Sequence, residues 1–142
     1  MATDPDRIQL RDIEGCFDGV IPPAIATSSA AGEPNVTHLS QLYVVDDGHV
    51  GVSNQFFGKT TTNLAENPHA AVLVTDSGTY DTYHLDLHYE RTDTEGPLFE
   101  ELKASIESIS SLMQMEDVFA LRGVDVYRVL AVRRIAVGAP PS

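Results

Sequence analysis

One lysine and three consecutive threonines, Lys59-Thr60-Thr61-Thr62, are the residues of this chain whose types and spacing best suit a bound anion. They follow Gly58 and lead into Asn63-Leu64-Ala65-Glu66-Asn67-Pro68, so they open a short helix. That helix must stop before Pro68, because proline disfavours helical geometry in the residue ahead of it. Amides in a first helical turn lack partners, and the helix dipole favours negative charge there. An ammonium and hydroxyls beside such amides suit a phosphate. Spacing alone equally allows a plain helix cap with an exposed lysine.

Other candidates are weaker. Thr37, His38, Leu39 and Ser40 lie on a long predicted strand, where strict alternation would put Thr37, Leu39 and Tyr43 on one face and His38 with Ser40 on the other. Val52, Ser53 and Asn54 end a returning strand, and Ser and Asn also satisfy backbone groups at turn entries. Phe56 and Phe57 could cover a ring or fill the core. His84, Asp86 and His88 share a strand face, but three positions along one strand rarely converge on one ion, so an exposed polar face is preferred and no metal is assigned. No Gly-x-Ser-x-Gly elbow supports Ser/His/Asp catalysis, and no catalytic residue is named. Arg122, Arg128, Arg133 and Arg134 read as salt links and solvent contacts, with Arg128 a candidate to reach a phosphate in a partner subunit.

The elements that must position these residues are mostly strands. Ala24–Ser29 reads as the first, Asn35–Val45 as a long second strand after the Ala31-Gly32-Glu33-Pro34 turn, and His49–Asn54 as its return. Asp46-Asp47-Gly48 joins the last two, a hairpin signal that rests on positive-φ positions. Ala70–Thr75, Tyr80–Arg91 and Val124–Val137 follow, with Asp76-Ser77-Gly78 turning between the first two. In Tyr80–Arg91, Tyr83, Leu85, Leu87 and Tyr89 alternate with polar residues. Helices are expected over Asp6–Phe17, from Pro97 onward with the stripe Leu98, Leu102, Ile106, Ile109 and Met113, and over Glu116–Leu121 closed by Gly123. Six mainly antiparallel strands with few free edges suggest a barrel. Met1–Pro5 and residues 138–142 are expected to be loose ends of a single domain, 1–142.

Composition narrows the function. Twenty-one acids against nine Lys plus Arg give a formal charge of −12 over 142 residues. That balance argues against nucleic acid and against an anionic membrane surface. Without an eighteen-residue apolar run or a basic-then-apolar leader, a soluble cytoplasmic protein is expected. Cys16 is the only cysteine and reads as a small buried hydrophobe.

Taken in order, Gly32-Glu33-Pro34-Asn35-Val36-Thr37-His38-Leu39-Ser40, the Asp-Gly hairpin, the short strand and Lys-x-x-x-Asn-Leu-x-x-Asn-Pro resemble the pyridoxamine 5'-phosphate oxidase-like flavin-binding split barrels. The resemblance runs from about Ile21 to Val74 and more loosely to Val137. It implies a mainly β, α+β fold, a six-stranded antiparallel split β-barrel with flanking helices, and a homodimer with FMN at its interface. By the same resemblance Lys59, Thr60 and Thr61 would hold the phosphate, while Thr37, His38, Leu39, Ser40, Val52, Ser53 and Asn54 would line the ring and ribityl chain. Gly58 stands where many relatives have an arginine, and no arginine lies near Thr37, so two cations of the fuller pattern are missing. The implied activity is an FMN-dependent oxidoreductase of unknown small-molecule substrate. The alternatives are a flavin- or haem-binding sensory module without turnover, or a deazaflavin-dependent reductase. Oxidation of pyridoxamine phosphate itself is not expected, because the basic residues of that substrate site are not apparent.

Overall fold

The computed structural model describes residues 7–39, 41–54, 58–112 and 121–135, with side chains for all of these except Asn54 and residues 106–112. Seven strands form one antiparallel sheet: β1 (Ala24–Ser28), β2 (Pro34–His38), β3 (Leu42–Asp46), β4 (His49–Asn54), β5 (His69–Thr75), β6 (Thr82–Asp93) and β7 (Gly123–Ile135). Two α-helices join them, α1 (Gly58–Glu66) and α2 (Pro97–Leu112), and a 3-10 segment spans Leu10–Cys16.

The strands lie in the order β2-β1-β5-β6-β7-β4-β3. β2 and β3 are therefore opposite edges, yet only Leu39, Ser40 and Gln41 separate them in the chain. The four residue steps from His38 to Leu42 span at most about 14 Å. The sheet must curl until its edges approach, which makes a barrel split between β2 and β3. The expected single strand Asn35–Val45 is thus two strands, and the barrel has seven rather than six. The reason is visible in the core: Leu39 and Leu42 are both buried there, at 2% and 0% exposure. An unbroken strand would send residues 39 and 42 to opposite faces. Leu39 donates its amide to the Pro23 carbonyl at 2.8 Å, outside the ladder. Tyr43 consequently does not share a face with Leu39 and packs on the α2 side instead.

Other expectations shift for local reasons. The Asp46-Asp47-Gly48 hairpin forms, but Gly48 is not among the positive-φ residues. Asp46 closes the turn by accepting from the Gly48 amide at 2.9 Å, beside a register shift between Val44 and Asp46. β6 starts at Thr82, because Tyr80 has φ 64° and closes the preceding turn with its amide on the Asp76 carbonyl. Gly123 opens β7 instead of closing a helix. A Cβ there would lie 2.7 Å from Thr92 Cγ2, so glycine permits the close approach of β7 to the end of β6. The expected helix over Glu116–Leu121 falls almost wholly outside the described residues, as do Met1–Pro5, Asp6, Ser40, Phe56, Phe57, Met113 and residues 136–142. Of the expected Asp6–Phe17 helix, only Leu10–Cys16 is helical, and it is broken by a non-helical Ile13.

Two apolar clusters use the two faces of β7. Tyr127 joins Ile25, Leu42, Val50, Val52, Val72, Val74, Leu85 and Leu87 inside the barrel. Val124 and Val126 point outward and pack under Leu98, Phe99 and Leu102 of α2. Cys16 is buried in the barrel cluster, and desolvation, then Asp76, Asp18 and Asp81, push its thiol up to about 11. It is an inert packing residue at neutral pH.

Candidate functional site

α1 ends at Glu66, just ahead of Pro68, and the Asn67 amide closes its last turn on the Asn63 carbonyl at 2.7 Å. Its placement rests on polar side chains. Asn63 donates to the Thr27 hydroxyl at 3.2 Å, Asn67 to the Ser28 hydroxyl at 2.9 Å, and Asn35 to the Thr60 hydroxyl at 3.4 Å. Glu66 accepts from the Ala30 amide at 2.9 Å. Leu64 is the apolar anchor, 5% exposed in the barrel cluster. The two asparagines of Lys-x-x-x-Asn-Leu-x-x-Asn-Pro thus fix the helix to β1, and Thr60 ties it to β2. Asn63 is fully buried and its Oδ1 has no partner among the described residues.

This orientation divides the predicted site residues. Lys59 is exposed in the first turn and makes no ion pair among the described residues. Thr60 faces inward, 3% exposed, so a ligand would meet its amide and not its hydroxyl. Thr61 is exposed and lines a cleft of about 120 Å³ with Leu64, Ala65, Tyr89, Thr92 and Asp125. Thr37 pairs with Ile25 and is half-buried, and His38 is exposed at the end of β2. Leu39 and Val52 give their side chains to the core. Ser53 is buried opposite Val124, and Asn54 pairs with Gly123 through its backbone; the Asn54 side chain and Ser40 lie outside the description. The structure therefore brings the α1 opening, the end of β4 and the start of β7 to one end of the barrel, while His38 belongs to an edge strand.

Sequence reasoning missed the acidic side of this end. Asp125 is 3% exposed on β7, opposite Val52 on one side and Thr92 on the other. Thr92 donates its hydroxyl to the Asp125 carboxylate at 2.6 Å, and Tyr89 is hydrogen-bonded to Thr92. Tyr127 is fully buried, its hydroxyl without a partner among the described residues and its ring edge-on to Tyr89 at 5.7 Å. Burial, then Asp125 and Tyr89, raise the Tyr127 phenol far above its ordinary value, so it stays neutral. A signal was present in the sequence: a lone acid inside the apolar run Val124-Asp125-Val126-Tyr127 has to be satisfied locally or be functional.

The His84-Asp86-His88 face does not gather on an ion. Arg133 contacts His84 Nδ1 at 3.1 Å, and His88 sits ring-edge to His69. Among the described residues, no group of three or more His, Cys, Asp or Glu could hold a metal. Of the arginines, Arg134 pairs with Asp81 at 2.7 Å, a surface link of the kind expected. Arg128 is exposed between His49 and His88 in register and makes no ion pair among the described residues.

Sheet order and capped end define a split barrel. The pyridoxamine 5'-phosphate oxidase family model matches residues 21–131, and the chain belongs to that family. No curated protein matches it. Three solved structures share the fold. An FMN-binding protein from Syntrophomonas wolfei subsp. wolfei is 18% identical with a TM-score of 0.72, over 88% of this chain and 86% of that one. HupZ from Group A Streptococcus is 18% identical with a TM-score of 0.71, over the whole of both chains. HutZ, the haem storage protein from Vibrio cholerae, is 15% identical with a TM-score of 0.59, over 90% and 95%. Among the described residues, no helix is long and apolar enough to cross a membrane.

Proposed function

We propose that this protein is a non-covalent FMN-binding split barrel and a flavin-dependent oxidoreductase acting on a small molecule. The observation that supports it most is Lys59: an ammonium with no ion pair among the described residues, in the first turn of a helix fixed by four polar tethers, in a family named for a flavin enzyme. The residues fit a phosphate there in an ordered division of labour. Lys59 supplies charge, the amides of the α1 opening supply donors, and Thr61 supplies a hydroxyl. Thr60, Asn63 and Asn67 hold the helix in place. Ser53 and Asn54 would meet the ribityl chain or ring edge from β4, and Thr37 to Ser40 the ring from the β2–β3 connection. Bound flavin would supply the hydride or electron chemistry, and the barrel end would orient the ring and limit water.

A homodimer completes this reading. Val36 and Leu73 project from neighbouring parts of the β2-β1-β5 face at 67% and 40% exposure, and such apolar surface suits a second copy. The missing cations at Gly58 and near Thr37 favour one competing reading, a ligand-holding module for haem or flavin without turnover. The likeness to the haem storage protein HutZ supports the same alternative.

The test is a titration of the purified protein with FMN, a deazaflavin and haem, followed by absorbance and fluorescence. Saturable FMN binding that Lys59→Ala weakens supports the proposal. No binding of FMN by a folded protein rejects it, and preferential binding of either other cofactor selects the alternative. Steady-state reduction of bound FMN by a nicotinamide donor, coupled to an acceptor, separates an enzyme from a holding module.

A further inference from the structure

We infer that a cleft between the N-terminal segment, the β3–β4 hairpin and the later half of β7 binds a small aliphatic α-amino acid as its zwitterion. The cleft holds about 220 Å³, with Arg7 and Ile8 on one wall, Asp47 on another and Val129, Ala131 and Val132 from β7. At about 30 Å³ per water, that is room for about seven waters. Drug-sized ligands take about 300–1,000 Å³, so the space suits a small metabolite. Ala131 lies six residues along β7 from Asp125, about 20 Å at the rise of a strand, so this cleft is separate from the one beside α1.

Two opposite charges that the fold leaves apart decide the ligand. Arg7 and Asp47 are both exposed and line this one cleft, yet neither makes an ion pair among the described residues. In a chain with 21 acids against nine Lys plus Arg, a guanidinium without an acid beside it is the less expected of the two. A ligand carboxylate can take two parallel hydrogen bonds from Arg7, and a ligand ammonium can donate to Asp47. A simple anion would be repelled by Asp47 and a simple cation by Arg7. Only a ligand carrying both charges uses both walls.

The apolar lining selects the rest of the molecule. Ile8, Val129 and Val132 pack on the barrel cluster but stay only partly buried, and all three line this cleft. An aliphatic side chain laid on them would complete their burial. The walls are also held in place. The Gln9 amide donates to the Asp12 carboxylate at 2.8 Å and the Asp12 amide to the Gln9 carbonyl at 2.9 Å, which fixes the chain beside Arg7 and Ile8. Val129 donates its amide to the Gly48 carbonyl at 2.8 Å, which ties the turn carrying Asp47 to β7. A site whose walls are set beforehand loses little to ordering when it binds.

The probe is L-leucine, titrated at neutral pH and constant ionic strength into the full chain and followed by backbone amide NMR. Two analogues serve as parallel arms: 4-methylpentanoate, which lacks the ammonium, and 3-methylbutylamine, which lacks the carboxylate. Saturable shifts at Ile8, Asp47, Val129 and Val132 are expected with leucine, and binding weaker by about tenfold or more with either analogue. Arg7→Gln should weaken leucine binding by about tenfold and Asp47→Asn by about fivefold. Both side chains are exposed, so both variants should fold. Absence of saturable shifts, an analogue that binds as tightly as leucine, or unchanged affinity in the two variants would overturn the assignment. Flavin titration does not enter, so the outcome is independent of the cofactor reading.

Discussion

The two α-helices are attached to the same sheet by opposite means. α2 lays Leu98, Phe99 and Leu102 on Val124, Val126 and Tyr43, an apolar contact without directional bonds among those residues. α1 has one buried leucine and four polar tethers, from Thr60, Asn63, Glu66 and Asn67 to β2, β1 and the turn after β1. Apolar packing stabilises but tolerates small rotations, whereas hydrogen bonds fix a helix in direction and depth. The helix whose first turn carries the exposed Lys59 is the one tied by hydrogen bonds. The helix that covers a sheet face is the one held by area.

Mutations can break that contrast. Leu102→Ala should cost the most, about 2–5 kcal/mol of stability, because Leu102 is 4% exposed at the centre of the α2 contact. Denaturant unfolding measures the loss, and FMN affinity of the folded fraction should stay unchanged. Asn63→Ala should cost about 1–3 kcal/mol, since it strands the buried Thr27 hydroxyl. It should also weaken FMN binding by loosening the α1 opening; unchanged binding would show that the tethers serve stability alone. Lys59→Ala reverses the pattern, with stability within about 0.5 kcal/mol and FMN affinity down about tenfold. Tyr127→Phe removes a buried hydroxyl that has no partner among the described residues, so unfolding should show no loss, or a gain of up to about 1 kcal/mol.

The smallest effect concerns pH, far from both helices. His49 is bridged by Asp46 at 2.8 Å and by Glu90 at 3.2 Å, and the Asp46 bond is the main cause of its raised pKa. A raised folded pKa adds stability that is complete below the ordinary value of 6.5 and fades as pH rises through the folded value. Asp46, lowered chiefly by the Gly48 amide and then by His49, adds stability above 3.8 that fades as pH falls through its folded value. Melting temperature should therefore fall slightly from pH 6 to 8 in the native chain, and that slope should flatten in His49→Gln. An identical slope in both would remove His49 as its source.

Much of the frame was legible because it is local. Period-two alternation marked β6, Pro68 set the end of α1, Pro97 opened α2, and Gly32 with φ 83° formed the expected turn. The resemblance placed the candidate site at the α1 opening. What stayed hidden depends on residues far apart in sequence. Nothing in Asn35–Val45 shows that its two halves lie on opposite edges of the sheet. No motif revealed that Thr92 and Asp125, 33 positions apart, would share a proton. Gly123 looked like a helix stop because its real constraint is the Thr92 side chain across the ladder.

By itself the amino-acid order determined which segments extend, where helices begin and stop, and that one cation would stand at the mouth of a short helix. Those properties follow from backbone sterics and from side-chain period, which act over a few residues. Only the tertiary structure decided that the sheet closes on itself, that the asparagines of the motif face inward as anchors, and that a buried acid faces the same helix from the opposite wall. Strand pairing sets those relations, and pairing joins residues that no local pattern links.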